Sequence, residues 1–115
     1  MSKLKSLLTA KAKAINSSER LKQDVGRWLR GYDGKIVGFE TPEGAYHIVF
    51  TAAKVTVREG DYPSCEARYR GTEDSVISVL DGKDGAYAGY TAGRFHFWGS
   101  LSEAIAFEKL VANIK

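Results

Sequence analysis

The 115-residue chain carries 17 Lys and Arg against 14 Asp and Glu, a formal net charge of +3. That length fits one domain around one core, and the charge is far from the basic excess of a dedicated nucleic-acid binder. No apolar run approaches the ~20 residues of a membrane span. No continuous apolar stretch follows the basic start Met1-Ser2-Lys3-Leu4-Lys5, as a secretory signal would require. Cys65, the one cysteine, can build neither an internal disulfide nor a zinc framework, which suits a reducing, cytoplasmic setting.

Residues 2–15 are rich in Lys and Ala. As a helix they bring Leu4, Leu7, Leu8 and Ile15 to one side, with Lys3, Lys5, Lys11 and Lys13 around the rest. Residues 1–15 are therefore read as an N-terminal basic helix or tail and residues 16–115 as the folded domain. The helix is expected to pack on that domain or fray; its other use is a transient contact with an anionic membrane. Asn16 and Glu19 have capping-box spacing, which predicts a helix over residues 16–29 with Leu21, Val25, Trp28 and Leu29 facing the core. Gly31-Tyr32-Asp33-Gly34 stops it.

The period then shortens to two. Strands are predicted over 35–39, 45–50, 54–59 and 65–70, the first pair joined by the turn Thr41-Pro42-Glu43-Gly44. Tyr46, Ile48 and Phe50 share one face, as do Cys65, Ala67 and Tyr69. Thr72 caps a helix to Leu80 carrying Val76, Ile77, Val79 and Leu80. Residues 84–92 form a short helix with Tyr87 and Tyr90. Residues 94–98 form a fifth strand with Phe95 and Phe97 on one face. Ser100 with Glu103 opens a last helix striped by Leu101, Ala104, Phe107, Val111 and Ile114. The expected architecture is α+β: a five-stranded, mostly antiparallel sheet with helices covering one face.

Catalytic chemistry finds little support. His47 and His96 have no ligand partner at motif spacing, Cys65 reads as a small apolar residue, and no glycine loop has phosphate-cradle spacing, so no cofactor is expected. Lys54, Arg58, Arg68, Arg70, Arg94, His96 and Trp98 fall on the outer strand faces, but Glu59 and Glu66 interrupt them. A solvated outer face is the better reading than a single-strand nucleic-acid platform.

Val55-Thr56-Val57-Arg58-Glu59-Gly60, the strand and helix from Cys65 to Val79-Leu80-Asp81-Gly82-Lys83, and the run Gly93-Arg94-Phe95-His96-Phe97-Trp98-Gly99-Ser100-Leu101 with Ala104, Phe107 and Leu110 together resemble the sterol carrier protein 2 (SCP2) family. The resemblance covers roughly residues 24–114. It implies a hydrophobic tunnel between sheet and helices. It also implies non-catalytic binding and carrying of an apolar, lipid-like molecule, such as a fatty acyl chain, sterol or isoprenoid. The expected lining is Tyr46, Ile48, Phe50, Tyr69, Phe95 and Phe97 on the sheet, with Val76, Leu80, Tyr87, Tyr90, Phe107 and Val111 on the helices. The alternative is an accessory protein that uses the groove for a partner. The chain departs from the family in its aromatic last strand, and its Asn113-Ile114-Lys115 end is not a peroxisomal signal.

Overall fold

The computed structural model describes residues 3–60, 65–112 and 114. The element order is α1 (Lys3–Asn16), α2 (Glu19–Leu29), β1 (Lys35–Thr41), β2 (Gly44–Phe50), β3 (Val55–Glu59), β4 (Ala67–Gly71), α3 (Glu73–Leu80), α4 (Ala86–Thr91), β5 (Phe95–Gly99) and α5 (Leu101–Ala112). The five strands form one sheet in the order β3-β2-β1-β4-β5. Every neighbouring pair is antiparallel except β1 with β4, which is parallel. The α+β architecture with a mostly antiparallel sheet is thus as the alternation predicts.

Alternation sets which side chains face inward. Val37 and Phe39 from β1, Ile48 and Phe50 from β2, Ala67 and Tyr69 from β4, and Phe95 from β5 are all buried. They meet Leu21, Val25, Trp28 and Leu29 from α2, Val76, Val79 and Leu80 from α3, and Ala104, Phe107, Leu110 and Val111 from α5 in one core.

The first helices differ from the sequence reading in a telling way. Ser18, not Asn16, caps α2: its hydroxyl accepts a hydrogen bond from the Leu21 N–H at 3.2 Å. Asn16 instead ends α1 and turns its amide onto the edge strand. It donates to the Val55 carbonyl at 2.9 Å and accepts from the Val55 N–H at 2.8 Å. That pairing blunts an otherwise open sheet edge.

Helix α1 buries Leu4, Leu8, Ala12 and Ile15 in the core, against β3, α2 and α3. The apolar side that could have rested on a membrane is therefore packed inside the protein. Lys11 is buried with it. Its ammonium donates to the carbonyls of Val111 at 2.9 Å and Ile114 at 2.7 Å. These carbonyls lie at the negative end of α5 and satisfy the charge there, although burial still lowers the Lys11 pKa below its ordinary value.

Three further side chains sit elsewhere than predicted. Cys65 precedes β4 instead of continuing its alternation, and its sulfur lies against Gly38 and beside Arg68 on the outer face. Leu101 begins α5 at 41 % exposure, because the buried stripe starts one turn later at Ala104. Ser100 does accept from the Glu103 N–H at 3.3 Å, but the Glu103 carboxylate does not close a capping box. It reaches across to Arg30 and Lys35. Among the described residues, no helix is long and apolar enough to cross a membrane.

Candidate functional site

The centre of the core is a chain of rings between the sheet and α2 and α5. Phe107 stands in the middle, with ring centroids 5.9 Å from Phe50, 6.0 Å from Phe39, 6.2 Å from Trp28 and 6.4 Å from Tyr69. Phe39 stacks on Tyr69 at 5.5 Å. Tyr69 then meets Phe95 at 5.7 Å and Phe97 at 5.4 Å, edge to face. Val76, Leu80 and Val111 complete the helical side and are fully buried.

Two polar features border this apolar interior. The buried Tyr69 hydroxyl donates to the Glu108 carboxylate at 2.5 Å. Burial first, and the neighbouring carboxylate second, push the Tyr69 pKa well above the tyrosine range. At the other end, the Lys35 ammonium donates to the Trp28 carbonyl at 2.8 Å, pairs with Glu103 and lies 5.0 Å over the Trp28 ring.

The Tyr69 arrangement has a consequence in alkali. Once the pH exceeds about 10, the unfolded chain sheds the tyrosine proton while the folded state keeps it, so this group lowers stability by up to about 1.4 kcal/mol per pH unit. Tyr69→Phe removes that dependence. Urea unfolding at about pH 9 and about pH 11 should show a smaller alkaline loss in the variant than in the wild type, above the usual tyrosine pKa. Equal losses would contradict the assignment.

Helix α4 covers the Phe95 end. It contacts Phe95 through Gly89, where a Cβ would overlap the Phe95 ring. The segment is closed at its base by a fork: the Arg94 guanidinium donates to both Asp84 oxygens, at 2.6 and 2.9 Å. Hydrogen bonding from Arg94 holds the Asp84 carboxyl below its usual pKa. Between this segment and α5 lies a cleft of about 390 Å³, lined by Gly85, Ala88, Ile105, Glu108 and Lys109 among others. Glu108 therefore belongs both to the cleft and to the Tyr69 hydrogen bond.

No protein-family model matches the sequence, and no curated protein matches it either. Solved structures do. A ubiquinone synthesis protein, UbiJ-SCP2, superposes with a TM-score of 0.72 at 16 % identity, over 94 % of this chain and 91 % of that one. Apo sterol carrier protein 2 from Yarrowia lipolytica gives 0.65 at 17 %, over 92 % and 87 %. The chain has the sterol carrier protein 2 fold. The same fold aligns with part of a sec-alkylsulfatase from a Pseudomonas species, at a TM-score of 0.63 and 11 % identity, over 79 % of this chain but 14 % of the enzyme.

Within this SCP2 fold, Ile48, Phe50, Tyr69, Val76, Leu80, Phe95, Phe107 and Val111 of the expected lining pack together in the hydrophobic core. Tyr46 is buried on the same sheet face as Ile48, and Phe97 is partly buried against Tyr69. Tyr87 and Tyr90 are not inside. They are 67 % and 55 % exposed, because α4 turns its glycine, not its tyrosines, toward Phe95. Trp28, Phe39 and Glu108 border the interior and were absent from the predicted lining. Phe39 was legible from the alternation of Val37 and Phe39. The helical spacing of Trp28 marks it as core and no more, and nothing in the sequence pairs Glu108 with Tyr69.

The outer sheet face carries Arg68, Arg70, His96 and Trp98, as predicted. Glu40 accepts a hydrogen bond from Arg68 at 2.7 Å and forms an ion pair with Arg70 at 3.2 Å. Arg68 also lies 5.7 Å over the Trp98 ring. This face is internally paired, as a solvated sheet surface is. His47 is buried, with Nδ1 2.9 Å from the Gly60 carbonyl.

Proposed function

We propose that this protein binds and carries an apolar, lipid-like molecule without chemically changing it, in the space between the sheet and the helices. The observation that carries the reading is the core of packed rings, covered at the Phe95 end by a six-residue helix that rests on it through a glycine. Displacing α4 would open the cleft over Glu108 onto Tyr69, Phe95 and Phe97, and the guest would replace ring-to-ring contacts with its own. The sterol carrier protein and ubiquinone synthesis protein of the same fold support an apolar guest.

The energetics allow it. Burying about ten methylenes yields roughly 8 kcal/mol gross. Ordering and loop displacement consume several kcal/mol of that, which leaves roughly millimolar binding for so short a chain; a chain of about sixteen methylenes, at roughly 13 kcal/mol gross, reaches the order of micromolar. Native mass spectrometry of gently purified protein and displacement of a fluorescent long-chain acyl probe test the proposal. Saturable displacement is expected. No retained ligand together with no saturable displacement would contradict it.

A second reading, an accessory protein that holds a protein partner, draws on Tyr87, Tyr90, Leu101 and Ile105, which are exposed on α4 and α5. It predicts a stoichiometric partner in pull-downs from native extract that is lost on Tyr87→Ala and Tyr90→Ala substitution. A carrier needs no such partner.

A further inference from the structure

We propose that the indole Nε1–H of Trp28 is the donor that anchors the polar end of the guest, so that the guest is an apolar chain ending in a neutral carbonyl group. The inference rests on the carrier reading above and adds the ligand's chemical class to it.

Trp28 is 6 % exposed and packs between Phe50, at 5.0 Å, and Phe107, at 6.2 Å. It therefore belongs to the same core of packed rings. Its Nε1 atom is fully buried, and among the described residues it has no hydrogen-bond acceptor. Buried polar groups are nearly always paired. A phenylalanine would fill most of the same space without a stranded donor.

The polar groups nearby are already committed. The Tyr69 hydroxyl is spent on Glu108, and the Lys35 ammonium on the Trp28 carbonyl and Glu103. The Lys35 ammonium, 5.0 Å over the indole face, draws electron density from the ring and makes its N–H a stronger donor. Lys35 and Arg30 share Glu103, and Glu66 lines the same surface pocket, so two cations already face two carboxylates and a guest carboxylate would bring an unbalanced charge into an apolar space. A ketone or ester oxygen meets no such penalty. The rival acceptor is the Phe50 ring, which stands edge to face with Trp28 at 83° and offers a weak N–H to π contact.

The sequence holds two tryptophans, Trp28 and Trp98. A ¹⁵N-labelled sample therefore gives two indole signals, assigned by Trp28→Phe. Titration with methyl palmitate and with heptadecane separates the possibilities. The ester should move the Trp28 signal downfield and bind about tenfold tighter than the alkane. Trp28→Phe should abolish that preference, so that ester and alkane bind alike. Should the variant not fold, the wild-type signal and the wild-type ester preference remain the readouts. Equal binding of ester and alkane with an unmoved Trp28 signal, as a Phe50-held N–H would give, overturns this inference and leaves the carrier reading standing. No binding of either overturns both.

Discussion

Phe107→Ala should unfold roughly 12–20 °C below the wild type, a loss of about 3–5 kcal/mol for a buried aromatic truncated to a methyl group. The magnitude follows from position. The Phe107 ring lies within 6.4 Å of four other ring centroids, on α2, β1, β2 and β4. No single neighbour can collapse into the space without abandoning the others, so the cavity term remains. Thermal unfolding followed by far-ultraviolet circular dichroism checks it. A drop of only a few degrees would mean that the rings repack freely and that Phe107 is not their centre. The same variant should admit bulkier guests than the wild type, since the space removed from the core lies where the guest is placed.

Gly89→Ala should loosen α4 and release a bound acyl probe roughly tenfold faster, which corresponds to about 1.4 kcal/mol of lost closure. The new Cβ overlaps the Phe95 ring. Phe95 is buried edge to face against Tyr69, so the ring has little room to yield and the six-residue helix is the part that moves. The Arg94–Asp84 fork still ties the base of the segment, and the displaced helix stays attached. Alanine favours helix by about 1 kcal/mol over glycine, which offsets part of an overpacking cost of about 1–3 kcal/mol. Global stability should therefore change less than the release rate. Stopped-flow chase of a fluorescent acyl probe measures the latter. An unchanged rate would show that α4 is not the cover.

Much of the architecture was legible because the periodicities are clean. Alternation placed Ile48, Phe50, Tyr69 and Phe95 on one face, and the spacing of Leu21, Val25, Trp28 and Leu29 placed α2 on them. The parallel β1–β4 contact is not written in any local pattern, since pairing is a long-range choice. The Thr72 and Ser100 caps were legible in type and position, the α2 cap in type alone. Ser17 and Ser18 follow Asn16, and the edge strand claimed Asn16 for Val55. The α4 tyrosines misled because a six-residue helix has too few turns to establish a buried face. The close approach of Gly89 to Phe95 decided it. Lys11 reads as a surface cation, and it is buried because carbonyls at the end of α5 accept its hydrogen bonds.

Carriage requires that the interior take up an apolar guest. Isotope-filtered nuclear Overhauser spectroscopy of the protein with an unlabelled long-chain acyl ester measures this directly. Contacts are expected from the chain methylenes to the buried rings of Tyr69, Phe95 and Phe107. Contacts confined to the exposed Tyr87, Tyr90 and Trp98 would contradict it.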